Sequence, residues 1–387
     1  MWPAIYTLNS RKPIQVGKDH PYDICVIGGG YMGAAVGLGL ARAGAKAVIL
    51  DRISMHQRAS KANFGLVWSQ SKGANNRPYS RLSENAVRMF ETFNSRIEAE
   101  TGIQTELRLG KGLVICLGEA EFDAKKQLIH QMHQAALADG EQHPSRMLDR
   151  KEVQDLVAGA TLGQRVMGGS FSPIDGDVNP LLLLKAMRKS FLGNGGRFCH
   201  GITVHAIQKL AKGYRLATSQ GTIEAPKIVL AAGLGNMALV QMLGTSLPLL
   251  PQKGQLLVTE RVKPFLSFPC SGLRQTGNGS IMIGYTNENT GLDVTTTVKE
   301  SASLAGRALA AFPGLSHLNV IRSWAGLRVL TGDGAPIYDE IDENAWALAT
   351  HSCVTLAPVH ERLLTPWILE GKKDKALNPF SLERFNV

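Results

Sequence analysis

The chain has 387 residues and a net charge of +10, with 44% hydrophobic and 19% charged residues. These proportions belong to a folded globular protein, which excludes a disordered or low-complexity chain. No apolar run approaches the roughly 20 residues that a membrane-spanning helix needs, and the length suits two cores of ordinary domain size.

Lys and Arg are scattered from end to end, and the densest cluster, "GKKDKALNPF", holds three lysines. That spread favours a solvated surface or attraction for small anions over a nucleic-acid footprint. Cys25, Cys116, Cys199, Cys270 and Cys353 are an odd number with no C-x-x-C pair. They argue against a disulfide framework, a zinc site or a complete iron–sulfur ligand set. Residues 1–21 lack the apolar core of a secretory signal and are expected to be an N-terminal extension of a cytoplasmic protein.

In chain order, "YDICVIGG" predicts an apolar strand running into a glycine turn, "AAVGLGLARAG" a helix stopping at Gly44, and "AKAVILD" a second parallel strand. "SENAVRMFETFNSRIEAETG" and "EAEFDAKKQLIHQMHQAALADG" predict amphipathic helices, with "LRLGKGLVICLG" a hairpin or strand between them. Short alternating strands follow in "GRFCHGITVHAIQKLAKGYRLATSQGTIEAPKIVLAAG", a meander that leads back into a buried strand. "KGQLLVTER" and "GSIMIGYTNENTG" predict further strands of a second sheet. The expected class is α/β with an α+β second domain. A Rossmann-like domain (22–80, 146–246 and 321–387) is interleaved with a mixed-sheet domain (81–145 and 247–320).

Gly28, Gly30 and Gly33 form G-x-G-x-x-G directly after a strand and at the head of a helix. Glycines there allow a tight turn and close approach to a pyrophosphate, which meets the helix N-terminus. Asp51 ends the second strand, where a carboxylate can accept hydrogen bonds from both ribose hydroxyls. Both NAD and FAD use this fingerprint.

Four downstream stretches favour FAD: "RASKANFGLVWSQSKG", "KIVLAAGLGN", "WAGLRVLTGDGAPIYDE" and "ATHSCVTLAPVHERLL". With the glycine turn, they resemble the FAD-dependent amine oxidoreductases of the D-amino-acid oxidase and glycine/sarcosine oxidase superfamily. The resemblance runs from Tyr22 to Gly371 and implies a fold of the glutathione-reductase/D-amino-acid-oxidase type. It implies cofactor contacts from Gly28, Gly30, Tyr31, Met32, Gly33, Asp51 and Arg52, and from Ser60, Asn63, Phe64 and Gly65. Val204, Ala232, Gly233, Ser352, Val354 and Thr355 complete the implied set, and no metal is expected. Thr355 and Pro358 suit the start of a helix whose positive end would face the flavin.

The resemblance makes Arg328 the substrate residue, because a guanidinium fork matches a carboxylate bidentately. An amino-acid-like substrate would then present its Cα–H to the flavin for hydride transfer. The alternative for Arg328 is a structural ion pair. His351 is the second chemical candidate, against a structural role at a strand end.

Within the superfamily, "NFGLVWSQSKG", "PQKGQLLVTE", "LRQTGNGSIMIGYTNENTG" and "HSCVTLAPVH" are most similar to the flavin subunits of heteromeric bacterial dehydrogenases. That group includes opine (octopine/nopaline) oxidases, hydroxyproline and proline dehydrogenases, and hydrogen cyanide synthase. It implies oxidation of a secondary amine, with FMN at a subunit interface and an iron–sulfur cluster in a partner of some relatives. Met282 stands where sarcosine oxidases carry an oxygen-activating lysine, which tilts the expectation toward electron transfer to a partner or quinone, with peripheral membrane contact through partners. The rivals are a D-hydroxyproline or proline dehydrogenase subunit, a stand-alone glycine or D-amino-acid oxidase, a tRNA-modifying flavoprotein and an idle flavin scaffold.

Overall fold

The computed structural model describes residues 22–52, 59–270 and 272–385. The expected extension, 1–21, and Arg58 at the head of the second flavin-like stretch lie outside the described residues. β1 (Ile24–Ile27), α1 (Tyr31–Arg42) and β2 (Ala47–Asp51) form the opening strand–helix–strand unit. Both strands are buried along their whole length, as parallel strands covered on two faces must be. Gly44, at φ +85°, turns the chain out of α1.

Next come β3 (Leu66–Val67), α2 (Arg77–Thr101), β4 (Arg108–Leu109), β5 (Gly112–Leu117) and α3 (Glu119–Ala138). β6 (Arg146–Asp149), α4 (Arg150–Leu156), β7 (Val166–Ser172), β8 (Gly176–Asp177) and α5 (Pro180–Gly193) follow. Then β9 (Arg197–His200), β10 (Val204–Lys209), β11 (Tyr214–Thr218), β12 (Gly221–Ala225), β13 (Lys227–Leu230) and α6 (Asn236–Gln241) lead back toward β1. The chain ends through β14 (Leu249–Arg261), β15 (Leu273–Gln275), β16 (Ser280–Gly284) and α7 (Val298–Ala311), then β17 (Val320–Thr331), β18 (Ile337–Asp342), β19 (Ala345–Ala349) and α8 (Ala357–Glu370).

The main sheet has the order β18-β19-β13-β1-β2-β9, parallel except for β18. The order reverses at β1, with β2 on one side and β13 on the other. Ligands of open α/β sheets bind beyond the strand carboxyl ends at such a switch point. One face of the sheet is buried under α1, α2, α5 and α8, and the other under the β10–β12 meander and α6. No helix among the described residues is long and apolar enough to cross a membrane.

Helix packing and strand pairing run across three of the expected limits. α2 spans the 80/81 limit, and its Leu82, Ala86, Phe90 and Ile97 pack in the core shared with α1 and α8. β6 and β7 pair with β5, whose Leu113 bridges Cys270, so residues 146–172 lie with the second sheet. β17 pairs with β14 along nearly its whole length, which carries the chain from 321 to 331 into that sheet as well.

A buried ion network ties β4 and β8 to the second sheet. Asp177 accepts from Arg108 Nε at 2.9 Å and from Arg274 Nη1 at 3.2 Å, and Arg274 also donates to the Val178 carbonyl at 3.0 Å. Asp177 and Arg274 are both buried. Removing one partner strands the other charge away from water. Asp177→Ala is therefore expected to lower unfolding free energy by about 3–5 kcal/mol, read from its denaturant midpoint and slope against the parent chain.

Candidate active site

Crowding shapes the turn between β1 and α1. A Cβ at Gly28, where φ is +112°, would lie 2.5 Å from the Ala231 carbonyl oxygen, and one at Gly33 would lie 1.8 Å from the Gly28 carbonyl oxygen. Neither position tolerates a side chain. Gly30 caps α1 with no side-chain hydrogen bond, and no acid stands in the first turn. Ser60 Oγ accepts the Tyr31 N–H at 3.2 Å. Cys353 also sits at this end of α1, its thiol pushed up to about 12 chiefly by burial. It is uncharged there, so the positive helix end keeps its affinity for an anion.

Tyr31 and Met32 themselves are buried in the core, and the Tyr31 hydroxyl donates to the Pro180 carbonyl. Only their backbone faces the turn. Asp51 Oδ1 accepts the Gly29 N–H at 3.2 Å, and its Oδ2 lies 3.5 Å from Arg188 Nη2. Arg188 of α5 also stacks on Phe198, 4.8 Å from the ring centre, and donates to the Gly29 carbonyl at 3.0 Å. Arg52 follows at an exposed position, and Val204 opens β10 just after Gly201 and Ile202, whose N–H groups donate to the Asp51 carbonyl. On the other side of β1, Ala231 N–H donates to Ile27 O. Asn236 holds the next residues by accepting from Ala232 N–H at 2.8 Å, while Gly233 turns at φ +61°.

The second group of expected residues faces the first. Asn63 Oδ1 accepts the Gly65 N–H at 2.7 Å, and Gly65 turns at φ +92° against the Val178 carbonyl. Phe64 packs on Leu256 and Met282. Ser352 Oγ lies 2.7 Å from the Tyr79 hydroxyl, and Val354 and Thr355 are buried. Thr355 Oγ1 accepts the Trp68 N–H at 3.1 Å, so its hydroxyl joins the 350s to the 60s and does not cap a helix. α8 starts two residues beyond Thr355, at Ala357, with Leu356 at its cap.

Arg328 projects from β17 across Gly254 of β14. A Cβ at Gly254 would come 2.4 Å from Arg328 Nη2, so that glycine makes room for the guanidinium. Arg328 donates to Gln252 Oε1 and Asn287 Oδ1, both at 3.0 Å, and to the Thr286 carbonyl at 2.8 Å. Its face lies 4.9 Å from the Tyr285 ring centre. Every one of these acceptors is neutral, and among the described residues no carboxylate reaches ion-pair distance. The neighbouring Lys253 is the contrast: it is paired with Glu288 and Asp293, each at 3.1 Å. Arg328 is thus held in place without being neutralised, and burial weakens its hold on its proton.

His351, between β19 and α8, shares the surroundings of Arg328. Burial, then the charges of Lys72 and Arg328, hold its imidazole well below the usual histidine range. It is neutral at neutral pH and adds no charge to the site. Lys72 was not singled out by the sequence, although it lies in the stretch that resembles the second flavin segment. Burial, then Arg328, bring its ammonium down to about 8. Arg188, Gly254 and Asn236 were missed likewise, each being informative only through a partner distant in sequence.

Residues 23–367 match the FAD dependent oxidoreductase (DAO) family. The chain belongs to that family. It is 38% identical to an opine oxidase subunit of Agrobacterium tumefaciens (strain Ach5) over 368 residues, covering 94% of this chain and 98% of that protein. The corresponding opine oxidase subunit of Rhizobium meliloti is 37% identical over the same shares of the two chains. The crystal structure of glycine oxidase from Geobacillus kaustophilus superposes with a TM-score of 0.85 at 25% identity, over 94% of this chain and 99% of that one.

The chain is an FAD-dependent oxidoreductase acting on CH–NH donors, and its residues fit the cofactor. Glycines 28 and 33 leave no room for side chains, the positive end of α1 has no acidic cap, and Asp51 sits at the tip of β2. Asp51→Ala should weaken FAD binding roughly 10- to 100-fold, the value of one or two charge-assisted hydrogen bonds, as read by flavin release in equilibrium dialysis. Arg328→Ala should retain FAD yet lower kcat/KM for a carboxylate-bearing amine by a similar roughly 10- to 100-fold. Flavin content and steady-state kinetics on the same preparation separate the two effects.

Proposed function

We propose that the chain is the flavin subunit of an opine oxidase, acting on the secondary amine of an octopine- or nopaline-like compound. Arg328, a half-buried cation with only neutral protein acceptors, carries this reading. It asks for a carboxylate from the substrate, and the two opine oxidase subunits are relatives over almost the whole length. The parallel-sheet body would hold FAD, and the body built on β14–β17 would hold the substrate beside it.

Bound FAD supplies the two-electron acceptor. The amine carbon gives up a hydride and the nitrogen a proton, a C=N bond forms, and water splits it into an amino acid and a 2-keto acid. Arg328 fixes one carboxylate so that the reacting carbon is presented in one orientation, which lowers the entropic part of the barrier. His351, neutral, can accept a hydrogen bond without competing for the carboxylate.

Electrons would pass to partner subunits, in line with a buried Met282 where the resemblance to sarcosine oxidases implies an oxygen-activating lysine. The exposed Val320 and Ile321 at the start of edge strand β17, and the exposed Leu292 and Val298, suit a protein contact. An FMN at a subunit interface, an iron–sulfur cluster in a partner subunit and a cytoplasmic site with peripheral membrane contact belong to the same proposal. The glycine oxidase fold match favours a second reading, a stand-alone oxidase that uses oxygen.

Mixing the FAD-loaded chain anaerobically with octopine, nopaline, D- and L-proline, hydroxyproline and glycine tests the substrate. Bleaching of the visible flavin bands by an opine is the expected result, whereas bleaching by glycine alone would refute the reading. Admitting air then decides the acceptor: slow reoxidation fits partner transfer, and fast reoxidation with peroxide release fits the stand-alone oxidase.

A further inference from the structure

Arg188 reaches from α5 to the middle of the glycine turn. Its Nε donates to the Gly29 carbonyl at 3.0 Å, its Nη2 donates to the same oxygen, and Nη2 lies 3.5 Å from Asp51 Oδ2. Asp51 Oδ1 accepts the Gly29 N–H at 3.2 Å, so both polar groups of Gly29 are held by a charged side chain. We infer that Arg188 is a positioning residue for FAD: it latches the Gly29–Gly30 peptide so that the Gly30 N–H is turned toward the cofactor's pyrophosphate.

The orientation follows from peptide geometry. This peptide is trans, so the C=O of Gly29 and the N–H of Gly30 point in opposite directions. With the carbonyl drawn to α5, the N–H is directed away from α5, at the head of α1. Among the described residues it meets no acceptor, while the next N–H, that of Tyr31, is taken by Ser60 Oγ at 3.2 Å. Gly30 is the cap of α1, where unpaired N–H groups and the positive helix end favour an anion.

A latch is needed because glycines flank the peptide on both sides. Turning it over changes ψ of Gly29 and φ of Gly30, and glycine tolerates either sense of both. Phe198 of β9 makes glycine obligatory, since a Cβ at Gly29 would lie 2.6 Å from its ring. The same ring supports the latch, 4.8 Å from the Arg188 guanidinium. Without that guanidinium the buried Gly29 carbonyl loses its donors, and turning out to the solvent of the crevice restores them. The pyrophosphate would then face an oxygen in place of an N–H.

The test is displacement of FAD from the loaded protein by ADP and by adenosine, which lacks the phosphates, in equilibrium dialysis at low and at high salt. Wild type, Arg188→Met and Arg188→Lys are compared. In Arg188→Met, FAD and ADP should each bind roughly 10-fold more weakly, adenosine should bind as in wild type, and the loss of ADP affinity should be the same at both salt concentrations. Arg188→Lys, which keeps a donor for the carbonyl, should recover most of the affinity. Equal weakening of ADP and adenosine overturns the inference, because Arg188 then acts on the ribose through Asp51. A loss of ADP affinity that disappears at high salt also overturns it, because the charge then attracts phosphate directly. Unchanged binding of all three ligands does the same. Should Arg188→Met not fold, Phe198→Leu, which removes the ring under the guanidinium, is read by the same competition: weaker ADP with unchanged adenosine supports the latch, and any other pattern overturns it.

Discussion

The site depends on the turn at Gly28, against which the Ala231 carbonyl presses just beyond the end of β13. The β1 and β13 ends can converge only where no Cβ intervenes. Their convergence places the N-terminus of α1, the carboxylate of Asp51 and the Ala232–Gly233 turn around one crevice. A side chain at Gly28 or Gly33 would push α1 off the sheet and separate all of these groups together. The cofactor site is thus a consequence of close backbone packing, with side chains adding selectivity at its rim.

Charge organises the other half of the site. The β14–β17 pairing sets Arg328 opposite Gln252 and beside Gly254, so the guanidinium lies flat over a position without a side chain. Neutral acceptors orient it, and acids nearby are spent on Lys253. Cations held this way are costly for the protein alone and selective for an anionic ligand, a trade that recurs at functional sites.

How much of this can be read from the sequence depends on the range of the interactions involved. The glycine turn, α1 and β2 were legible because their signal is local: apolar strand, glycines at fixed spacing, and helix stop at Gly44. Arg328 was legible through its resemblance to a known stretch, although its lack of an acidic partner was not. Sheet membership was not legible where distant strands pair, β5 with β7 and β14 with β17, since alternating patterns do not name their partner. Thr355 suits a helix start, yet it serves Trp68, far away in the chain.

Substrate selection rests on Arg328, a cation that no carboxylate of the described residues neutralises. The most direct measurement is a crystal structure of the FAD-bound protein with 2,2′-oxydiacetate. The predicted result is a carboxylate hydrogen-bonded to Arg328, with Gln252, Asn287 and Thr286 still holding the guanidinium. A ligand bound without touching Arg328, or an Arg328 turned away into a protein ion pair, would contradict it.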